Sequence, residues 1–390
     1  MMKLLVPRLK PQFDISDWIS VLNVLEKKSI ENYETEFSNK FGCQYGTMFS
    51  HGRSGIYALL KVWGILDSEV ICPAYTCVVV PDAIVLSGNT PVFVDCGTDS
   101  FNMSLAGIES AITKDTRVII ATHLFGYPMD VKEIQKIANE ATKRFEHKVY
   151  VIQDCAHSYG AEWEGDLVSS WGDAAIFGSN ISKIINSIFG GMVITNNRET
   201  CLGLKKWRQD NCKYQSFSKT IKRFFYFIAV NFAFLSVVYS FVNFLERKGF
   251  LDHFVKYYED GVVKFPLDWD QFPVAIEARV GRSQLRKYDE ISSKRLIHAK
   301  QIEEYFEGNA DIAFRAEATG ASYSHLVGLV HDRDLWVKTY RDKGIQLGIL
   351  IEYSIPGMSA YEKYKTTDVP HSDYYSEHCV NFPLHRRLKL

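Results

Sequence analysis

Two residues in this chain stand where they could share one reaction. A short apolar run, Val149 to Ile152, leads into Asp154. A second run, Ala174 to Phe177, leads through a Ser/Asn-rich turn into Lys183. The diglycine Gly190-Gly191 then opens a third run, Met192 to Thr195. Short apolar runs bounded by turn residues predict buried strands, so the acid and the amine are predicted at neighbouring strand ends. That pairing suits pyridoxal phosphate chemistry. A lysine amine makes the Schiff base, and an acid keeps the pyridine nitrogen protonated so that the ring acts as an electron sink.

A third piece lies upstream. Tyr45 to Trp63 reads as a short strand, a tight turn at Gly52, then a helix starting near Arg53. The free N–H groups and dipole of a helix start favour an anion such as a phosphate. Arg53 and Ser54 would add side-chain donors.

The elements that must position these residues alternate regularly. Strands are predicted at Glu69 to Pro73, Thr90 to Asp95 and Val118 to Thr122, beside those already named. Apolar stretches of helical length lie between them, at Cys77 to Ser87 and Val131 to Phe145. Continuous apolar strands alternating with helices predict an α/β fold with a mainly parallel sheet covered on both faces. Ligands in such sheets sit at the carboxyl ends of the strands, where Gly52, His123 and Asp154 all fall. Residues 1–28 read as an arm and first helix, 29–212 as the large domain and 213–272 as an insert. Residues 273–390 read as one long helix, from Ala275 to Tyr305-Phe306, followed by a smaller α/β domain. In that domain a strand is predicted at His325 to Val330, with helices at Leu335 to Gly344 and Met358 to Tyr364.

The formal net charge is −1, so no basic excess argues for nucleic acid. The eight cysteines show no paired metal spacing. With no cleavable signal peptide at the N-terminus, they read as reduced thiols of a cytosolic protein. The insert is the anomaly. Phe224 to Leu245 is 22 residues without a charge, preceded by Lys219, Lys222 and Arg223. As one helix it would reach about 33 Å, enough to cross a hydrocarbon core. A buried core helix, a membrane span, an oligomer contact and a monotopic hairpin or interfacial element all fit that composition. The interfacial reading sets the basic flank against anionic lipid, with Asn231, Ser236 and Asn243 at turns or polar edges.

Read together, these motifs resemble the DegT/DnrJ/EryC1/StrS family of sugar aminotransferases, which have the fold-type I architecture. The residues carrying the resemblance are His51-Gly52-Arg53, Pro73-Ala74-Tyr75-Thr76, Pro91 to Asp95, Gln153 to Gly160, Gly172-Asp173 through Lys183, and Gly190 to Val193. Further on come Gly281 to Leu285, Lys343-Gly344-Ile345, Tyr353 to Pro356 and Phe382-Pro-Leu-His385. Residues 213–272 lie outside the match. The resemblance implies that Lys183 bonds the pyridoxal 5′-phosphate and shuttles a proton. It implies that Asp154 pairs with the pyridinium nitrogen and that His157 hydrogen-bonds the ring oxygen. Ser182, Arg53, Ser54 and the Gly52 turn would hold the phosphate.

Two departures stand out. The family places an aromatic over the cofactor ring where Cys77 sits here, so either a small side chain covers the ring or Tyr75 does. The family's Tyr-x-Tyr-Arg element, which reaches the partner's phosphate, is not recognisable in 266–273. The implied function is conversion of a keto sugar, nucleotide-linked, to an amino sugar by a homodimer, with glutamate as donor. Surface polysaccharide or glycolipid assembly would use the product, in the cytoplasm or at the inner face of its membrane through 224–245. No metal is implied. Relatives that are sugar dehydratases replace the lysine with histidine, so Lys183 argues against that alternative. The Asp154 and Lys183 pair argues against a non-catalytic scaffold.

Overall fold

Seven short strands join into one sheet because their apolar side chains are covered on both faces. The structure, a computed structural model, describes residues 4–214, 217–247, 260–315 and 319–390. The strands are β1 (Tyr45–Phe49), β2 (Glu69–Pro73), β3 (Thr90–Val94), β4 (Thr116–Thr122), β5 (Tyr150–Asp154), a small hairpin of β6 (Glu162–Trp163) and β7 (Asp166–Leu167), then β8 (Ala174–Gly178) and β9 (Gly191–Thr195). The large sheet runs in the order β1-β9-β8-β5-β4-β2-β3. Strands β2, β3, β4, β5 and β8 are mutually parallel, and β9 is antiparallel to both β8 and β1. Two reversals cancel, so β1 runs the same way as β8. The ends of β1, β4, β5 and β8 therefore meet at one edge.

Val151, Ile152, Ile119, Ile120 and Ala175 are fully buried. This is why these strands read as unbroken apolar runs rather than alternating ones. The covering helices have legible signals. Helix Val131–Phe145 starts where Asp130 accepts a hydrogen bond from the Glu133 N–H at 2.9 Å. Helix Gly52–Val62 has no such side-chain cap. A second, antiparallel sheet joins β10 (Ile312–Phe314), β11 (Leu326–Val330) and β12 (Cys379–Phe382), and it packs with Tyr340 and Phe306 into its own core.

The structure departs from the predicted elements in three places. The long helix after Ala275 is two helices, Ala275–Arg286 and Tyr288–Tyr305, joined at Lys287. The predicted helix at Met358 to Tyr364 holds only one short 3-10 turn, Glu362–Tyr364, with another, Ile355–Gly357, just before it. The uncharged stretch Phe224 to Leu245 is not one helix either. It is divided between Phe217–Ala233 and Ser236–Arg247. No single helix among the described residues is long and apolar enough to cross a membrane. Only the bent pair Phe217–Ala233 and Ser236–Asn243, at 92°, has the length and composition when taken together.

Two of the three basic residues that precede the uncharged stretch point inward, Lys219 and Arg223, while Lys222 stays exposed. Lys219 is buried and its Nζ donates to Ser50 Oγ at 2.9 Å and to the Phe272 carbonyl at 2.8 Å. Arg223 pairs with Glu277 at 2.6 Å and with Asp268, and its guanidinium covers the Phe189 ring. Phe227, fully buried, lies edge-on to Phe13 and Trp18, each with centroids 4.8 Å away. The first insert helix is thus docked on the large domain. The second leaves Val237 and Phe241 exposed.

Candidate active site

Asp154 ends β5 with its carboxylate almost wholly buried. One oxygen accepts from Thr122 Oγ1 at 3.2 Å, from the end of the neighbouring β4. The other accepts from the Ala156 N–H at 3.0 Å. Burial raises its pKa, against the lowering effect of the Ala156 N–H, the Lys183 charge and the Thr122 hydroxyl. A carboxylate so held is oriented and has little water, which suits it to a cationic ring nitrogen.

Lys183 follows β8 in a tight turn whose backbone N–H bonds the Asn180 carbonyl at 3.0 Å. Its side chain returns across the strand end, so that a Cβ on Gly178 would stand 3.7 Å from Lys183 Cε. Burial pulls the amine down to about 8, while the negative character of Cys77 and of Asp154 raises it. These groups therefore share one small region, although they lie up to 106 positions apart in sequence. The Lys183 amine makes no hydrogen bond or ion pair among the described residues.

His157 is buried and its pKa is pushed well down, first by burial and then by the Lys183 and His325 charges. Its Nδ1 accepts from the Phe125 N–H at 3.4 Å, which leaves the other ring nitrogen as the protonated donor. Phe125 lies nearly parallel to the His157 ring, at 14° with centroids 6.1 Å apart. It holds the left-handed backbone at φ 60°, a conformation that costs energy for a bulky residue. What sustains it is a double clasp from the smaller sheet: the His325 N–H donates to the Phe125 carbonyl at 3.1 Å, and the Ser322 N–H to the Gly126 carbonyl at 2.9 Å.

That clasp delivers a residue absent from the sequence reading. The His325 ring lies 5.2 Å from the His157 ring, and its pKa is depressed by burial and by the Arg295 and Lys183 charges. Its only signal in the sequence is a histidine at the start of a strand, which carries no motif spacing. His123, by contrast, is structural. The Met129 N–H donates to its Nδ1 at 2.9 Å, so its Nε2 donates to Gln153 Oε1 at 2.9 Å.

The helix start packs against the same strand ends through missing side chains. A Cβ on Gly191 would lie 2.3 Å from Gly52 N and 2.4 Å from the His51 carbonyl carbon. A Cβ on Gly52 would lie 3.2 Å from the Phe177 carbonyl oxygen. With no side-chain cap, the first-turn N–H groups are left for an anion beside Lys183. Ser182 stands at the same turn, its hydroxyl donating to Asn180 Oδ1 at 2.7 Å. The two side chains expected to assist are engaged elsewhere. The Ser54 hydroxyl donates to the Trp269 carbonyl at 2.8 Å, and Arg53 faces Asp82 at 3.9 Å. The segment 266–273 thus folds over this turn, since Ser50 also donates to the Gln271 carbonyl and His51 contacts Asp268 at 2.7 Å.

Cys77 and Tyr75 divide as the sequence left open. Tyr75 is fully buried behind Phe125, with its hydroxyl donating toward the Ile351 and Tyr375 carbonyls at 3.3 and 3.4 Å. Cys77 is half-buried and within electrostatic reach of Lys183. Among the described residues no cluster of His, Cys, Asp and Glu could hold a metal.

This arrangement of buried acid, desolvated amine, uncapped helix start and diglycine has known counterparts. The family model described as the DegT/DnrJ/EryC1/StrS aminotransferase family matches residues 17–232 and 274–390. The chain belongs to that family. Its matched residues include Asp154, His157 and Lys183, and its unmatched ones hold the whole of the second insert helix. Among curated relatives, a GDP-perosamine synthase of Escherichia coli O157:H7 is 35% identical over 198 residues, covering 49% of this chain and 50% of that protein. A UDP-N-acetyl-3-dehydro-alpha-D-glucosamine 3-aminotransferase of Acidithiobacillus ferrooxidans is 36% identical over 168 residues, covering 43% and 44%. The chain thus spans about half the length of the curated relatives it matches. Among solved structures, a putative sugar aminotransferase of Streptococcus pneumoniae in its PLP form superposes with a TM-score of 0.77 at 19% identity, covering 99% of this chain and 95% of that one. At such identity the likeness shows the fold, which is the fold-type I α/β architecture.

Proposed function

We propose that this chain is a pyridoxal 5′-phosphate-dependent aminotransferase that converts a keto sugar to an amino sugar, with glutamate as the donor. The observation that carries the reading is the convergence of buried Asp154 and the depressed amine of Lys183 beside an uncapped helix start. The donor set fits the cofactor group by group. The carboxylate suits a protonated ring nitrogen, the amine an aldehyde, the His157 N–H a ring oxygen, and the free N–H groups at Gly52 a phosphate.

When bound, the cofactor supplies an electron sink for the carbon that exchanges its amino group. The protein's own residues do the rest. Lys183 would hold the cofactor through its amine and would serve as the base that moves the proton at the donor's Cα. A pKa near 8 keeps a usable fraction of that amine neutral, as a base must be. Asp154 holds the ring nitrogen's proton. Ser182 and the Gly52 turn would hold the phosphate, and Cys77 would stand beside the ring. Arg53 and Ser54 act on the anchor at one remove. Arg53 is fixed by Asp82, and Ser54 ties the helix start to the Trp269 carbonyl. Tyr75 supports Phe125 from behind.

The names of the relatives, one a GDP-sugar and one a UDP-sugar enzyme, support a nucleotide-linked sugar as the substrate class. Use of the product in surface polysaccharide or glycolipid assembly is part of the proposal. A homodimer is supported by the exposed apolar face of helix Ile15–Leu22, where Ile15, Ile19 and Leu22 are each more than half exposed. Peripheral membrane contact is supported by Phe225, Phe232, Val237 and Phe241 on the insert. A cytoplasmic location is supported by the free cysteines, and its refinement to the membrane's inner face rests only on the exposed insert residues just named. The test is the first half-reaction. Cofactor-loaded protein mixed with glutamate loses its visible-edge absorbance as the amino group is taken up. An absorbance indifferent to glutamate and to every other amino acid donor contradicts the proposal.

A further inference from the structure

The Gly52 turn is held by chain that reaches it from far along the sequence. His51 makes no side-chain cap bond to the helix Gly52–Val62 that it precedes. Its ring turns to the segment 266–273 instead, where Nε2 donates to Asp268 Oδ1 at 2.7 Å. The other Asp268 oxygen pairs with Arg223 on the first insert helix. Arg223 is anchored in turn by the fully buried Glu277, to which its Nε donates at 2.6 Å. Burial raises the Asp268 pKa, but the hydrogen bond and charge of His51, and then those of Arg223, outweigh it and hold the carboxyl well below the usual carboxylate range. Asp268 is therefore charged at neutral pH, and both its bonds are of the strong, charge-assisted kind.

Arg223 also grips the other side of the turn. Its guanidinium lies over the Phe189 ring, 4.1 Å from the centroid, and the same ring stands edge-on to His51 at 6.1 Å. Phe189 leads into the diglycine, where a Cβ on Gly191 would collide with His51 and Gly52. One side chain thus braces both pieces of backbone that must stay together for the first-turn N–H groups to remain beside Lys183. Asp268 lies in 233–273, which the family model leaves unmatched, so the residues matched to the family do not supply this brace.

We infer that Arg223, Asp268 and His51 are positioning residues through which the insert holds the Gly52 turn in shape for the cofactor's phosphate. The inference rests on the pyridoxal phosphate reading of the site and extends it to side chains engaged with one another rather than with an anion. Backbone donors bind an anion best when they are already in place, because a loose turn must be ordered at each binding. None of the three residues is among the groups that shift Lys183 or Asp154, so the brace acts on the phosphate end of the site and not on the amine or the acid.

The test compares pyridoxal 5′-phosphate with pyridoxal, which offers Lys183 the same ring and aldehyde without the phosphate. Each is titrated into cofactor-free protein, and capture is followed by absorbance. Asp268→Ala and His51→Ala cut the brace from its two sides. Arg223→Lys keeps the charge but not the fork that spans Asp268 and Glu277. Each variant is expected to weaken capture of pyridoxal 5′-phosphate about tenfold or more and to leave that of pyridoxal within about twofold. His51→Ala and Asp268→Ala remove the same contact, so the double variant should fall no more than about twofold below the weaker single one. Lys222→Ala, an exposed charge on the same helix, should change neither affinity. The inference falls if the variants capture pyridoxal 5′-phosphate as the wild type does. It falls equally if both aldehydes weaken alike, which is the mark of a merely structural loss. Should Asp268→Ala fail to fold, His51→Ala decides alone, since it costs its helix no side-chain cap. A wild-type protein that captures neither aldehyde overturns the cofactor reading itself, and the inference with it.

Discussion

The sharpest consequence of the site is the titration of Lys183. An ordinary lysine titrates at 10.5, and burial takes this one to about 8. At neutral pH the neutral fraction of its amine rises from roughly 0.03% to roughly 9%, about 300-fold. Only the neutral amine attacks an aldehyde. Capture of pyridoxal phosphate by the cofactor-free protein should therefore speed up tenfold per pH unit below about 8 and level off above it. The opposing influences give the argument a second handle. Cys77 first, and Asp154 after it, raise the amine's pKa, so Cys77→Ala and Asp154→Asn should each move the inflection lower. His157 and His325 are held neutral by burial, so no inflection should appear near the usual imidazole value of 6.5. The assay is the initial rate of absorbance growth on mixing, across the neutral and alkaline range. An inflection close to 10.5, or one that rises in Asp154→Asn, would refute the reasoning.

Other perturbations test the surroundings. Gly191→Ala puts a Cβ 2.3 to 2.5 Å from three backbone atoms of His51 and Gly52, none of which can swing aside. Overpacking of this kind costs about 1–3 kcal/mol, so both the denaturation midpoint and cofactor affinity should fall, and wild-type values for both would contradict the packing described. Phe227→Ala should cost about 3–5 kcal/mol in chemical denaturation, and a loss under about 1 kcal/mol would show that the first insert helix is not docked. Phe232→Ser combined with Phe241→Ser, both on exposed positions, should change stability by no more than about 0.5 kcal/mol yet reduce sedimentation with anionic vesicles. Unchanged sedimentation would end the membrane proposal.

Much of the architecture was legible because it depends on local pattern. Val151, Ile152 and Ala175 read as strand residues since both faces of a parallel sheet are buried. The break in the insert was legible only through Ser236, one of the three polar residues predicted at turns or polar edges and the first residue of the second helix. Phe234 and Leu235, at the bend itself, are as apolar as their neighbours. Lys287 hid a second break for the converse reason, since helical periodicity continues through it. In the site, the residue types came through while their partners did not. Ser54 looks like a phosphate donor by position, but its proton goes to Trp269, 215 residues away. His325 reaches His157 only because the smaller sheet clasps Phe125 and Gly126, a contact that no local spacing encodes.

The central claim is that Lys183 is the residue that carries the cofactor. Borohydride reduction of cofactor-loaded protein, followed by peptide mass spectrometry, tests it most directly. The account predicts a pyridoxyl mass on the peptide containing Lys183, and its loss when the protein is first treated with excess glutamate. A label on any other lysine, or a Lys183 label untouched by every amino donor, would contradict it.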